Sequence, residues 1–71
     1  MIVKRSITIR GHRTSISIEE LFWTQLQAIA EARSQSIAAL VAGIDSSREP
    51  GSNLSSAVRL FVLDEALGRQ G

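Results

Sequence analysis

The side chains of this 71-residue chain that could do chemistry are few, and their spacing argues against catalysis. Nucleophilic or general acid-base work needs converging groups, and the chain offers a single histidine, His12, and no cysteine. Ser34, Ser36, Ser46 and Ser47 lie far along the chain from His12. The carboxylates are spread over helical stretches and a loop, where capping and solvation account for them. The glycines match no phosphate-binding spacing, and one histidine without cysteine cannot assemble a metal cluster at the usual intervals. No enzyme activity, metal or cofactor is therefore expected. What stands out instead is the alternation Arg13-Thr14-Ser15-Ile16-Ser17-Ile18, which puts Arg13, Ser15 and Ser17 on one face of a strand and Thr14, Ile16 and Ile18 on the other. Two antiparallel strands form a ribbon narrow enough for the DNA major groove, where an arginine suits guanine and serine hydroxyls bond to several bases. A dimerisation strand whose polar face meets only water has the same alternation.

Several elements must position that face. Residues 3–9, Val-Lys-Arg-Ser-Ile-Thr-Ile, also favour extended structure, but Ile7 and Ile9 sit on odd positions whereas Ile16 and Ile18 sit on even ones. Arg10-Gly11-His12 must therefore break the register, either as a tight turn that makes a hairpin or as a bulge that sends a basic arm away from the domain. A first helix is expected from Ile18 or Glu19, with its apolar stripe on Ile18, Phe22, Leu26 and Ile29. Ser17-Ile18-Glu19-Glu20 fits a capping box, a role that would compete with base contact for Ser17. Ser36 is the expected N-cap of a second helix carrying Ile37, Leu40, Val41 and Ile44 and ending between Asp45 and Ser47. Ser46 to Ser52 reads as a loop. A third helix follows, capped by Ser52 or Asn53 and carrying Leu54, Ala57, Val58, Phe61, Val62 and Leu63, with Leu60 and Leu67 broadening its apolar surface. Gly68-Arg69-Gln70-Gly71 is expected to fray. No internal repeat or low-complexity tract is apparent.

Length and charge narrow the reading. A core built from 71 residues is marginal unless disulfides, metal or oligomerisation help, and here only the last is open. A homodimer is expected, with a core drawn from Ile16, Ile18, Phe22, Leu26, Ile29, Leu40, Val41, Ile44, Val58, Phe61 and Val62. The net charge of +1 conceals an asymmetry. Up to Ile18 the chain carries Lys4, Arg5, Arg10 and Arg13 and no acid, giving +4; beyond it seven acids face four arginines, giving −3. A basic segment of this kind either meets a polyanion or is merely solvated. In the first case Lys4, Arg5 and Arg10 supply attraction to phosphate, and the start of the second helix, at Ser36 and Ile37, offers backbone amides to another. No apolar run approaches the length that crosses a bilayer, and the N-terminal residues lack a signal-peptide pattern, so no membrane association and a cytoplasmic location are expected.

The order strand, helix, Ser36 turn and helix resembles the ribbon-helix-helix family, the fold of the Arc and methionine repressors. Lys4-Arg5-Ser6-Ile7, Gly11-His12-Arg13-Thr14-Ser15-Ile16-Ser17-Ile18-Glu19, Phe22-Trp23 and Asn53 to Leu63 are similar to a bacterial subfamily of small members. The resemblance implies a mainly helical, intertwined homodimer with one short ribbon strand per subunit, to which this chain adds an N-terminal extended arm and an additional C-terminal helix. It divides the chain into residues 1–12, a basic arm or first hairpin strand, and residues 13–71, the ribbon-helix-helix domain with its third helix. It further implies sequence-specific binding of double-stranded DNA as a transcriptional repressor, with Arg13, Ser15 and Ser17 on bases and Ser36 on a phosphate. An antitoxin-like or adaptor dimer that docks another protein on the third helix is the alternative. Ser34-Gln35 stands where many members have a glycine.

Overall fold

A computed structural model describes residues 1–68; the last three, Arg69 to Gly71, and with them most of the expected frayed tail, lie outside the described residues. The chain runs β1 (Ile2–Ile9), β2 (His12–Glu19), α1 (Glu20–Ala32), α2 (Ile37–Ser47) and α3 (Leu54–Ala66). The break at Gly11 is a turn. β1 and β2 pair antiparallel from Ile2↔Glu19 to Ile9↔His12, joined by the two residues Arg10 and Gly11. Both hold positive φ, 51° and 78°, the backbone of the hairpin turn whose twist matches that of its strands. Gly11 adopts this conformation freely, whereas Arg10 bears a steric cost of about 1–2 kcal/mol. Its guanidinium reaches across to donate to the Ala42 carbonyl at 2.9 Å, tying the turn to α2.

Of the two courses open to residues 1–12, an arm or a first hairpin strand, the chain takes the hairpin: β1 pairs along the expected ribbon strand, β2. The physical reason is parity. Paired residue numbers sum to 21, so odd positions of β1 stand opposite even positions of β2, and a two-residue turn brings Ile7 and Ile9 onto the same face as Ile16 and Ile18. The apparent register conflict is therefore what a tight hairpin requires.

The inner ribbon face packs on the helices. Ile7, Ile9, Ile16 and Ile18 join Leu26 and Ala30 of α1, Leu40, Val41 and Ile44 of α2, and Val58 and Val62 of α3 in one core. Ile16, Ile18, Leu26, Val41 and Val58 are the largest fully buried side chains, each contributing about 1.5–3 kcal/mol of transfer free energy. The residues expected to build a dimer core thus fill the inside of one chain, with Phe22, Ile29 and Phe61 partly buried against it.

Helix boundaries follow local chemistry at two of three starts. Ser36 caps α2, its Oγ accepting from Ala39 N at 3.0 Å, and Asn53 caps α3, its Oδ1 accepting from Ser56 N at 3.2 Å. The capping box at Ser17 does not form. β2 continues through Glu19, Glu19 is the N-cap without a side-chain bond, and the Glu20 N–H donates to Met1 O at 3.2 Å instead. Strand pairing with β1 has claimed the residues that the local signature assigns to a helix cap. At the other end of α1, Ser34 takes the left-handed conformation, φ 56°, while Ser34 N–H donates to Glu31 O and Gln35 N–H to Ala30 O. This is the paired-bond helix terminus that usually employs glycine, made here by serine.

Candidate nucleic-acid interface

The hairpin register builds the outward face rank by rank. Lys4 stands opposite Ser17, Ser6 opposite Ser15, and Thr8 opposite Arg13. Because paired residues share a face, all six side chains project away from the core, and all but the half-buried Ser17 are exposed. The three predicted base-contact residues, Arg13, Ser15 and Ser17, are therefore together on one strand. β1 adds Ser6 and Thr8, which the sequence reading missed, and places Lys4 on the same face. The signal that finds them is the two-residue loop: once Arg10-Gly11 is a turn, the parity rule dictates that the even residues of β1 point outward with the odd residues of β2.

Electrostatically this face is cationic and hydroxyl-rich. Among the described residues neither Lys4 nor Arg13 has an ion-pair partner. The nearest acid along the face is Glu19, at the open end opposite Ile2, and it is engaged by Arg59 Nε at 2.9 Å. That hydrogen bond is the main cause holding the Glu19 carboxyl below its ordinary pKa. The face between the open end and the turn thus presents two free cations, four hydroxyls and no carboxylate.

The other predicted phosphate contacts are placed differently. Arg5 lies on the inner face, its guanidinium 4.5 Å over the Trp23 ring and bonded to Glu20, with Nε buried and unpartnered. Arg10 is folded back on α2, bonded to Ala42 O and 3.7 Å from Asp45. Both are committed within the chain. Ser36 is exposed but its Oγ is spent as a cap, so what α2 offers to a phosphate is the free backbone N–H of its first turn, at Ile37.

The edges of the ribbon differ. In an antiparallel pair, alternate residues turn their N–H and C=O outward, and the two-residue turn makes Arg13, Ser15 and Ser17 those residues on β2. At Ser17 this edge is closed by α3: Ser17 N–H donates to Ser55 Oγ at 3.0 Å, and Arg59 Nη2 donates to Ser17 O at 3.2 Å. The inner edge of β2 is occupied by β1. β1 keeps one open edge.

A family model described as a ribbon-helix-helix domain matches residues 2–66, and the chain belongs to the ribbon-helix-helix family. Domains of this family are generally DNA-binding transcription regulators or antitoxins, and they typically dimerise. No curated protein and no solved structure matches the chain. Among the described residues no helix is long and apolar enough to cross a membrane, and no group of three or more histidines and acids is arranged to hold a metal ion.

Proposed function

We propose that this protein is a cytoplasmic, dimeric transcription regulator that binds duplex DNA in a sequence-specific manner, with the outer face of the β1–β2 ribbon in the major groove. The observation that carries the reading is the composition of that face between the turn and Glu19: Lys4 and Arg13 unpaired, four hydroxyls between and beside them, and no acid. Arg13 donates to guanine, Ser15 and Ser17 bond to neighbouring base edges, and the α2 start at Ser36 and Ile37 takes a phosphate. The guanidinium groups of Arg5 and Arg10 are engaged by partners within the chain and contribute mainly long-range field.

The salt dependence of binding tests this directly. Two unpaired cations per chain make four per dimer, and neutralising one phosphate each gives a slope of log affinity on log salt of about −4. Affinity that does not change with salt, or no binding even at low salt, would sink the reading. Sedimentation at micromolar concentration tests the dimer, since a stable folded monomer contradicts it.

A second reading has one specific observation in its favour. On α3 and at its C-cap, Leu60, Leu63 and Leu67 recur at helical spacing and remain 62%, 47% and 54% exposed. An antitoxin-like or adaptor protein would use this stripe to dock a polypeptide partner. Leu63→Asp separates the readings, because it leaves the core untouched. Loss of a co-purifying polypeptide with DNA binding intact favours the docking role. Phe61 is unsuitable for this test, because its ring is packed on the core and lies 5.1 Å beneath the Arg33 guanidinium.

A further inference from the structure

Away from the ribbon face, one cleft gathers positive charge that the fold does not use up. It lies where the hairpin turn, the last turn of α2 and the start of α3 meet, and holds about 350 Å3. Its polar lining is Arg10, His12, Arg13, Thr14, Asp45 and Arg48. Among the described residues three arginines thus face one carboxylate, an excess of two positive charges with His12 neutral.

Arginines at the end of a helix often do no more than answer its exposed carbonyls. That accounts for part of what Arg10 and Arg48 do. Arg10 donates through Nη2 to Ala42 O at 2.9 Å and lies 3.7 Å from Asp45. Arg48 donates through Nε to Asp45 at 2.6 Å and through Nη1 to Ser52 O. A guanidinium carries about five N–H donors, so both keep donors to spare. Arg13 has no ion-pair partner among the described residues and is not explained by the helix end at all. The bonds to Ala42 O, Ser52 O and Asp45 therefore hold two guanidinium groups in place and offset the negative end of α2. α3 adds the opposite end of a helix: it starts at Leu54, on the cleft wall, and brings positive potential there.

We propose that this cleft binds a phosphate group, with Arg10 and Arg48 as its donors, Asp45 as the strut that positions them, and Arg13 at the edge shared with the ribbon face. A guanidinium fork matches two phosphate oxygens, and clustered arginines hold phosphate for that reason. The volume is at the lower end of the range for ligand clefts, about 300–1,000 Å3, and suits one such group. The site is distinct from the contact at Ser36 and Ile37, which belongs to the other end of α2. Because Arg13 also stands on the outer ribbon face, a backbone phosphate of DNA on that face comes within reach of the cleft. That source rests on the DNA-binding reading above; a free phosphate ester would meet the same donors.

Two measurements on the full chain decide the proposal. In the first, inorganic phosphate is titrated without DNA, at constant ionic strength in sodium chloride, while the amide resonances of Arg10 to Thr14 and Asp45 to Arg48 are followed. Saturable shifts centred on these residues are expected. Arg48→Gln should weaken binding by about tenfold. Asp45→Asn keeps an acceptor for Arg48 and removes the negative charge, so it should tighten binding. Opposite signs mark a binding site, because a purely structural ion pair would be damaged by both changes alike. In the second, single methylphosphonate linkages, each removing one phosphate charge, are scanned along a duplex selected from randomised sequences. If DNA fills the cleft, one linkage weakens the wild type by about tenfold and leaves Arg48→Gln nearly unchanged. Phosphate binding without such a linkage assigns the cleft to a free phosphate ester and leaves the DNA reading standing. No saturable phosphate shift, together with no linkage whose effect depends on Arg48, overturns the proposal. A chain that binds no duplex overturns the DNA reading alone, and the phosphate titration then decides the cleft.

Discussion

The two strands of the ribbon match on their outer faces and diverge on their inner ones. Compared at a separation of nine residues, Lys4, Ser6 and Thr8 on the outside of β1 correspond to Arg13, Ser15 and Ser17 on the outside of β2. Inward, Ile7 and Ile9 correspond to Ile16 and Ile18, but Arg5, stacked on Trp23, corresponds to Thr14, and half-buried Val3 to exposed His12. The difference teaches which side is answerable to what. The helices beneath the ribbon have no two-fold symmetry of their own, so the inner residues must adapt to unlike neighbours. α1, α2 and α3 reach different parts of it, and α3 bonds to the free edge of β2 at Ser17. Nothing in the packing asks the outer residues to agree.

The largest expected effect tests the asymmetry of the inner side. Ile18 is 0% exposed and its counterpart Ile9 is 7% exposed. Ile18→Ala should destabilise by about 3–4 kcal/mol in urea unfolding, and Ile9→Ala by about 1 kcal/mol less, because a site near the surface relaxes more fully around the lost atoms. Ser15→Ala, on the outer face between them, should stay within about 0.5 kcal/mol of wild type. Equal costs at Ile9 and Ile18 would mean that the helices cover both strands alike.

The turn that joins the two strands gives the next effect. Gly11 holds φ 78° and a methyl group there would meet nothing within 4 Å, so Gly11→Ala has a backbone cost alone. A loss of about 1 kcal/mol is expected, with base preference unchanged provided the hairpin still closes. A gain in stability would show that the turn is not left-handed in solution.

How much of this was legible in the sequence divides along the same line. Caps at Ser36 and Asn53, the helix stripes and the outward set Arg13, Ser15 and Ser17 depend on residues close together in the chain, and local chemistry is enough to locate them. The capping box at Ser17 misled because a distant segment decided the matter: β1 paired with β2 as far as Glu19, and Met1 O took the Glu20 N–H. Ser6 and Thr8 were hidden for a related reason. Their place on the outer face follows only after the turn is chosen over a bulge, and the composition of Arg10-Gly11-His12 permits both. The sequence likewise gives no sign that Arg5 and Arg10, indistinguishable from Lys4 and Arg13 by charge, are held inward by Trp23, Glu20 and the Ala42 carbonyl.

A smaller effect is expected at the edge where the strands differ. Arg59→Ala removes the bonds to Ser17 O and Glu19, leaving Ser55 as the α3 partner of β2 at Ser17. Its signature is in the pH profile. In the wild type the Glu19 carboxyl is held below its ordinary pKa, mainly by the Arg59 hydrogen bond. A carboxylate with a depressed folded pKa contributes stability that is fully present above the unfolded carboxylate range and is lost as pH falls through the folded value. The wild type should therefore lose this contribution on acidification, and the variant, which lacks it at neutral pH, should show a flatter profile through that range. Parallel profiles would mean that Arg59 and Glu19 do not pair in solution.

The smallest effect is the most discriminating for the outer face. Exchanging the two cations, Lys4→Arg together with Arg13→Lys, keeps the charge of the outward pattern and moves the guanidinium from one strand to the other. Arginine and lysine differ, one binding guanine through a fork and the other as a point charge, so each exchange alone should shift preference between the two ends of the site. Made together, they should offset: the double variant should bind within about threefold of the original affinity, since what each end loses the other regains. A double variant weakened as severely as Arg13→Ala, by about tenfold or more, would show that the two ends of the ribbon sit in unlike surroundings on DNA. The likeness of β1 to β2 would then be a property of strands with one wet face, and Arg13 alone would carry the reading.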